Sequence, residues 1–119
     1  MIYNLTLLNV CDNSGVKTIK CFKIYNSAYG KLGGLVNASV KKAKAKNKLD
    51  KGTVVKAIII RKKRLTDRKT GNFISFDSND VIILNEKQEP VSTRIFGPMP
   101  LELRKKSCLK LLSLTSILI

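Results

Sequence analysis

The sequence predicts a mainly β domain, a small barrel or sandwich, and three observations carry that expectation. Short apolar runs rich in β-branched residues recur along the chain, and clusters of Asp, Asn, Ser and Gly separate them. Val36, Ala38 and Val40 alternate with Asn37, Ser39 and Lys41, the period of two that a half-buried strand requires. The length, 119 residues, is one domain's worth, and folding such a chain buries roughly two thirds of the surface its unfolded form exposes.

The elements follow in order. Residues 5–10 are apolar and end at Asp12-Asn13-Ser14-Gly15, where Asx side chains close a turn and Gly15 accepts positive φ. Residues 18–25 are β-branched and aromatic, a second strand. Gly30-Lys31-Leu32-Gly33-Gly34 is glycine-rich without dinucleotide or P-loop spacing and reads as a turn. The alternating strand at 36–41 comes next, and residues 53–60, apolar apart from Lys56, read as a central strand. Residues 73–76 and 81–84 are further strands around the turn Asp77-Ser78-Asn79-Asp80, with Phe73 and Phe76 expected in the core. After Gly97-Pro98-Met99-Pro100, one or two short helices are expected between about 100 and 114, started near Pro100. A single domain, 1–119, is expected, with a basic loop and ribbon at about 41–71.

Charge narrows the function. The chain carries 23 Lys plus Arg against 8 Asp plus Glu, a net charge of +15, with no His and no Trp. Self-repulsion at this charge opposes compaction unless a polyanion neutralises it, so a nucleic acid or an anionic membrane is the leading partner class. The excess is local: residues 41–69 hold 13 basic and 2 acidic side chains, whereas 70–119 hold 6 and 5. Absence of His removes the commonest general base near neutral pH and the commonest zinc ligand. Cys11, Cys21 and Cys108 have no zinc-like spacing and read as small buried hydrophobes of a reducing compartment. Glu86, Glu89 and Glu102 are scattered. No catalytic residue, cofactor or metal is expected.

Two basic motifs are the candidate RNA contacts. The first comprises Lys41, Lys42, Lys44, Lys46 and Lys48, with Lys51 close behind, and could track a phosphate backbone on a loop. The second, Arg61, Lys62, Lys63, Arg64, Arg68 and Lys69, lies between two expected strands with Gly71 at the turn, and so sits on a projecting ribbon. The aromatic signature of a base-reading RNA sheet is missing, which favours phosphate and shape recognition of structured RNA.

With these elements in place, the order of motifs resembles the large-subunit ribosomal protein L-fourteen family in its bacterial and organellar form, over about residues 5–114. The residues that carry it are Leu8-Asn9-Val10-Cys11-Asp12-Asn13-Ser14-Gly15, then Lys51-Gly52 with Val55-Lys56-Ala57-Ile58-Ile59-Ile60-Arg61. Phe76-Asp77-Ser78-Asn79, Thr93-Arg94-Ile95-Phe96-Gly97-Pro98 and Glu102-Leu103-Arg104 complete it. The resemblance implies a five-stranded β-barrel with a projecting β-ribbon and short C-terminal helices, bound to large-subunit rRNA. It implies small-subunit rRNA as a partner at inter-subunit bridges, ribosomal proteins L-three and L-nineteen as neighbours, and the ribosome silencing factor as a visitor to the same face. Thr93, Arg94 and Lys110 occupy the positions matching that factor and subunit interface.

The alternative from a different class is a free-standing basic nucleic-acid-binding barrel or chaperone. A peripheral membrane protein is a third, but no membrane partner is expected: the apolar end, 109–119, contains Lys110 and is short of the ~20 residues of a spanning helix. The start, Met1-Ile2-Tyr3-Asn4, lacks a basic leader. Lys, Asn and Ile make up 39 of the 119 residues, all with A/T-rich codons. Together these point to a mitochondrial ribosome and an organelle-encoded chain, with bacterial cytoplasm and plastid as the alternatives.

Overall fold

The computed structural model describes residues 2–25, 27–43, 51–106, 109–115, 117 and 119. Lys44, Lys46, Lys48 and Cys108 lie outside the described residues. Five strands close a barrel in the order β1 (Leu7–Val10), β2 (Val16–Ile24), β3 (Leu35–Ala43), β4 (Val54–Arg61) and β7 (Asp80–Leu84). All neighbours are antiparallel except the closing pair, where β1 runs parallel to β7 through Asn9 opposite Asp80 and Val10 opposite Val81. Closure removes the free edges on which sheets aggregate. Between β4 and β7 the chain leaves the barrel as a two-stranded ribbon, β5 (Thr66–Asp67) with β6 (Phe73–Ile74). A 3-10 helix (Leu101–Lys106) and a short helix α1 (Leu109–Leu114) follow the barrel. The barrel with ribbon and C-terminal helices is thus borne out, and a sandwich is not formed.

Two apolar clusters explain the two kinds of strand sequence. Inside the barrel lie Ile19, Cys21, Val36, Ala38, Val40, Val55, Ala57, Ile59, Val81 and Ile83, among others. On the outside of β4 and β7, Ile58, Ile60, Ile82 and Leu84 are covered by Ile95, Met99, Leu103 and Leu111 from the C-terminal part. β3 therefore alternates, one face dry and one wet, whereas β4 and β7 are buried on both faces and read as unbroken apolar runs. At roughly 1.5–3 kcal/mol for each fully buried large aliphatic side chain, the second cluster fastens the C-terminal segment to the barrel.

The turn at 12–15 forms as its residues dictate. Asp12 accepts hydrogen bonds from Ser14 N and Ser14 Oγ at 3.0 and 2.6 Å, and Gly15 takes φ 94°. The first strand begins later than expected, at Leu7, because Leu5 adopts φ 71° and leaves the extended region. The strand expected over 73–76 shortens to β6, and Phe73, expected in the core, is 64% exposed, while Phe76 is half-buried. β6 pairs only with β5 and not with a barrel strand, which leaves Phe73 without cover.

Candidate nucleic-acid interface

The base of the ribbon is set by a bulge at the end of β4. Ile58 pairs with Ile82 and Ile59 with Val81, but the next pair is Arg61 with Asp80, so Ile60 is the inserted residue. The insertion turns Arg61 to the outer side of the barrel, the side of Asp80, instead of into the interior. Arg61 Nε lies 2.6 Å from Asp80 Oδ2, and its Nη1 donates to the Pro98 carbonyl at 3.2 Å. Ser78 Oγ donates to the same carboxylate at 2.9 Å. A Cβ on Gly97 would fall 2.0 Å from Arg61 Nη1, so glycine there leaves room for the guanidinium. Arg61 is 9% exposed and its charge is committed inside the fold. It is a structural member of the basic cluster that sequence assigned to RNA.

Beyond Arg61 the two arms are joined by backbone and Asx contacts. Phe76 N donates to the Lys62 carbonyl at 3.1 Å, and Lys63 N donates to Asn79 Oδ1 at 2.9 Å, so the turn at 77–80 sets where the ribbon leaves. At the tip, Arg68 N donates to the Asn72 carbonyl and Gly71 N to the Arg68 carbonyl, with Gly71 at φ 87°. Lys63, Arg64 and Lys69 are exposed along this ribbon, and Leu65 and Phe73 expose apolar surface beside them. Arg68 differs: its Nε and Nη2 reach the two Glu102 oxygens at 2.5 and 3.1 Å, a bidentate pair that ties the ribbon to the 3-10 helix. Arg68 therefore positions the ribbon as well as charging it.

Lys62 is the least expected member, being 8% exposed. Burial pushes its pKa down, and the positive charges of Arg64 and Lys31 push it in the same direction. Of the remaining basic candidates, Lys41 and Lys42 are exposed at the end of β3 and Lys51 is exposed before β4. Sequence reasoning missed two further pairs, Lys23 Nζ 4.9 Å from the Tyr25 ring and Lys31 Nζ 5.4 Å from the Tyr29 ring. Tyr25, Tyr29 and Lys31 line a groove of about 630 Å³ whose lining also includes Lys87, Glu89 and Lys110. No motif marks these residues; only the turn at 27–34 brings them together.

Thr93, Arg94 and Lys110 lie on two separate supports. Asn13 Oδ1 accepts from Thr93 N and Arg94 N at 3.1 and 3.2 Å, and Asn13 Nδ2 donates to Thr93 Oγ1 at 3.0 Å. Both residues are exposed, and the Arg94 guanidinium lies 5.8 Å from the Phe96 ring. Lys110, on α1, pairs with Glu89 Oε1 at 2.6 Å. Lys110 lines the groove and the other two do not.

The two described thiols, Cys11 and Cys21, are both buried. Burial pushes the Cys11 thiol up to about 12, despite the opposing Arg61 charge, and burial raises Cys21 as well. Among the described residues no group of three or more His, Cys, Asp or Glu is placed to hold a metal ion, and no helix is long and apolar enough to cross a membrane. Alongside this geometry, comparison with known families shows that the family model for ribosomal protein L14p/L23e matches residues 1–119.

Proposed function

The chain belongs to the ribosomal protein L14p/L23e family, and from that premise we propose that it binds large-subunit rRNA through its basic ribbon and the adjoining lysines of β3. The family assigns a structural, non-enzymatic role in the large ribosomal subunit. The observation that carries the RNA reading is the ribbon itself. Lys63, Arg64 and Lys69 stand exposed on an element held at a fixed angle by Asn79 and by the Arg68–Glu102 pair. Cations on a rigid arm match phosphates at fixed spacing without the entropy cost of ordering a free tail. Lys41, Lys42 and Lys51 extend the same field, and Lys44, Lys46 and Lys48 add charge between them in sequence.

The exposed segment at 93–94, anchored by Asn13, supports a contact with small-subunit rRNA and with the silencing factor. Lys110, on its separate support beside Glu89, is the proposed second part of that contact. Ribosomal proteins L-three and L-nineteen are the proposed neighbours, and the A/T-rich codon bias supports a mitochondrial ribosome. Filter binding of the chain to large-subunit rRNA over a salt series tests the RNA reading. Lys63→Ala, Arg64→Ala and Lys69→Ala together should flatten the slope of log K against log salt by up to about 0.9 for each duplex phosphate left without its cation. An unchanged slope would remove the ribbon as an RNA contact.

A further inference from the structure

We infer that an uncovered outer face of the barrel, formed by Leu5, Leu7, Phe22 and Val54 beside Lys20 and Lys56, docks an amphipathic helix of a partner protein whose apolar stripe is flanked by carboxylates. This goes beyond the RNA reading, because the face shares no residue with the basic ribbon or with the lysines at the end of β3. Register brings the residues together. Leu8, Ile19 and Val40 form one cross-strand row that points into the barrel, so the next row, Leu7, Lys20, Ser39 and Val54 on β1 to β4, points out. Four strands about 4.8 Å apart make that row roughly 14 Å long. Lys56 stands two residues from Val54 on the same side of β4. On β2, Cys21 pairs with Ala38 and Lys23 with Asn37, so Phe22 is the inserted residue of a bulge, and it is exposed. Leu5 reaches the same place through its backbone: Leu5 N donates to the Cys21 carbonyl at 2.5 Å, and Cys21 N donates to the Thr6 carbonyl at 3.0 Å.

These side chains are apolar where the wet face of a strand is ordinarily polar. Leu5 is 66% exposed, Leu7 and Val54 62%, and Phe22 43%. Single exposed hydrophobics are common, whereas a contiguous apolar patch rimmed by polar groups marks a contact surface. Leu5 adds a second sign. It takes φ 71° as the third residue of the turn Tyr3–Thr6, which Thr6 N closes on the Tyr3 carbonyl at 3.2 Å. Gly or Asn is the ordinary residue at such a position, and a leucine there is strained with its side chain in water until a partner covers it. The kind of cover is visible on the other side of the barrel, where Leu103 of the 3-10 helix and Leu111 of α1 lie on the outward side chains of β4 and β7. A helix is about 10 Å across and so fits the 14 Å row. Charge sets its flanks: β1 to β4 contain no Asp or Glu, and no ion pair among the described residues uses Lys20 or Lys56. Carboxylates on the partner supply the missing counter-charge. Leu5, Leu7 and Val54 offer RNA neither a charge nor a stacking face, and a second copy of this chain, at +15, repels the first.

The test takes the chain in its native assembly, from whichever sucrose-gradient fraction contains it. A water-soluble carbodiimide joins an ammonium group to a carboxylate in contact with it, and mass spectrometry identifies the linked peptides. Lys20 and Lys56 should link to Asp or Glu within one segment of another protein, and that segment should carry apolar residues at i, i+3, i+4 and i+7. Made as a synthetic peptide, it should bind the free chain, and Leu7→Ser with Val54→Ser should weaken it roughly tenfold or more. Lys20→Gln with Lys56→Gln, which leaves the apolar residues in place, should reduce the salt dependence of that binding, while Phe73→Ser on the ribbon should leave the affinity unchanged. Absence of protein links at both lysines would overturn the proposal. A linked segment without an apolar stripe, or a peptide whose affinity survives Leu7→Ser with Val54→Ser, would do the same. Ultraviolet cross-linking of Phe22 to RNA in the assembly would put RNA on this face instead. Flotation of the free chain with phosphatidylglycerol vesicles, lost in Leu7→Ser with Val54→Ser, would put a membrane there.

Discussion

Replacing Gly97 with Ala isolates the buried Arg61–Asp80 pair from the exposed charges that follow it. The added Cβ would meet Arg61 Nη1 at 2.0 Å, against an ordinary contact of at least 3.4 Å, so the guanidinium must retreat by about 1.4 Å. A retreat of that size is incompatible with its 2.6 Å contact to Asp80 and its 3.2 Å bond to Pro98. Losing a buried pair in this way costs about 3–5 kcal/mol, and Ala at φ 84° adds about 1–2 kcal/mol of backbone strain. For a chain of this length, roughly 3–5 °C of melting temperature corresponds to each kcal/mol, so the combined cost of about 4–7 kcal/mol predicts a fall of roughly 12–35 °C. Urea unfolding and calorimetry measure it. The control is Gly71→Ala, also at positive φ (87°) but with nothing within 4 Å of the new Cβ, which should cost only the strain. In an Arg61→Met background the Gly97→Ala cost should shrink to the same value. Equal costs for Gly97→Ala and Gly71→Ala in the unmodified chain would refute the packing argument.

Other expectations follow from the same geometry. Glu102→Gln should cost about 0.5–1.5 kcal/mol, as for a partly exposed bidentate pair, and should speed proteolysis at the ribbon tip; an unchanged digestion pattern would show that Arg68 does not hold the ribbon. Phe73→Ala should leave urea stability within about 0.5 kcal/mol because the ring is exposed, while any loss of RNA affinity would mark it as a stacking contact. Iodoacetamide at pH 8 should label Cys11 only on unfolding, since its thiol is pushed up to about 12. Its contribution to stability is complete below 9.0 and is lost as pH rises from there toward about 12, because the unfolded thiol ionises first. Lys62 has the opposite sign: with its folded pKa below 10.5, the free protein gains stability as pH rises through that folded value, and Lys62→Met should abolish the gain.

The barrel was legible where a strand's neighbours are local in sequence pattern. Alternation at 36–41 marked one wet face, and the unbroken run at 53–60 marked a strand dry on both faces. What covers the second face, Leu103 and Leu111 over Ile58 and Ile82, has no signal before folding, because apolar residues at a helix surface do not name their partner. The basic cluster was legible as charge, but not the burial of Arg61 and Lys62 within it. One inserted residue, Ile60, decides that Arg61 meets Asp80, and a bulge leaves no mark in composition. Glu102 is 34 positions from Arg68, so the tether between them is a product of topology alone. Phe73 resembles core by type, and only the ribbon's departure from the barrel exposes it.

Sedimentation tests the central claim most directly. Gently lysed source material is run on sucrose gradients at high and low magnesium, and fractions are probed for this chain. Binding to large-subunit rRNA predicts that the chain stays with the large subunit after the subunits part, and the RNA in that peak identifies the compartment. Migration at the top of the gradient while ribosomes remain intact would contradict the account.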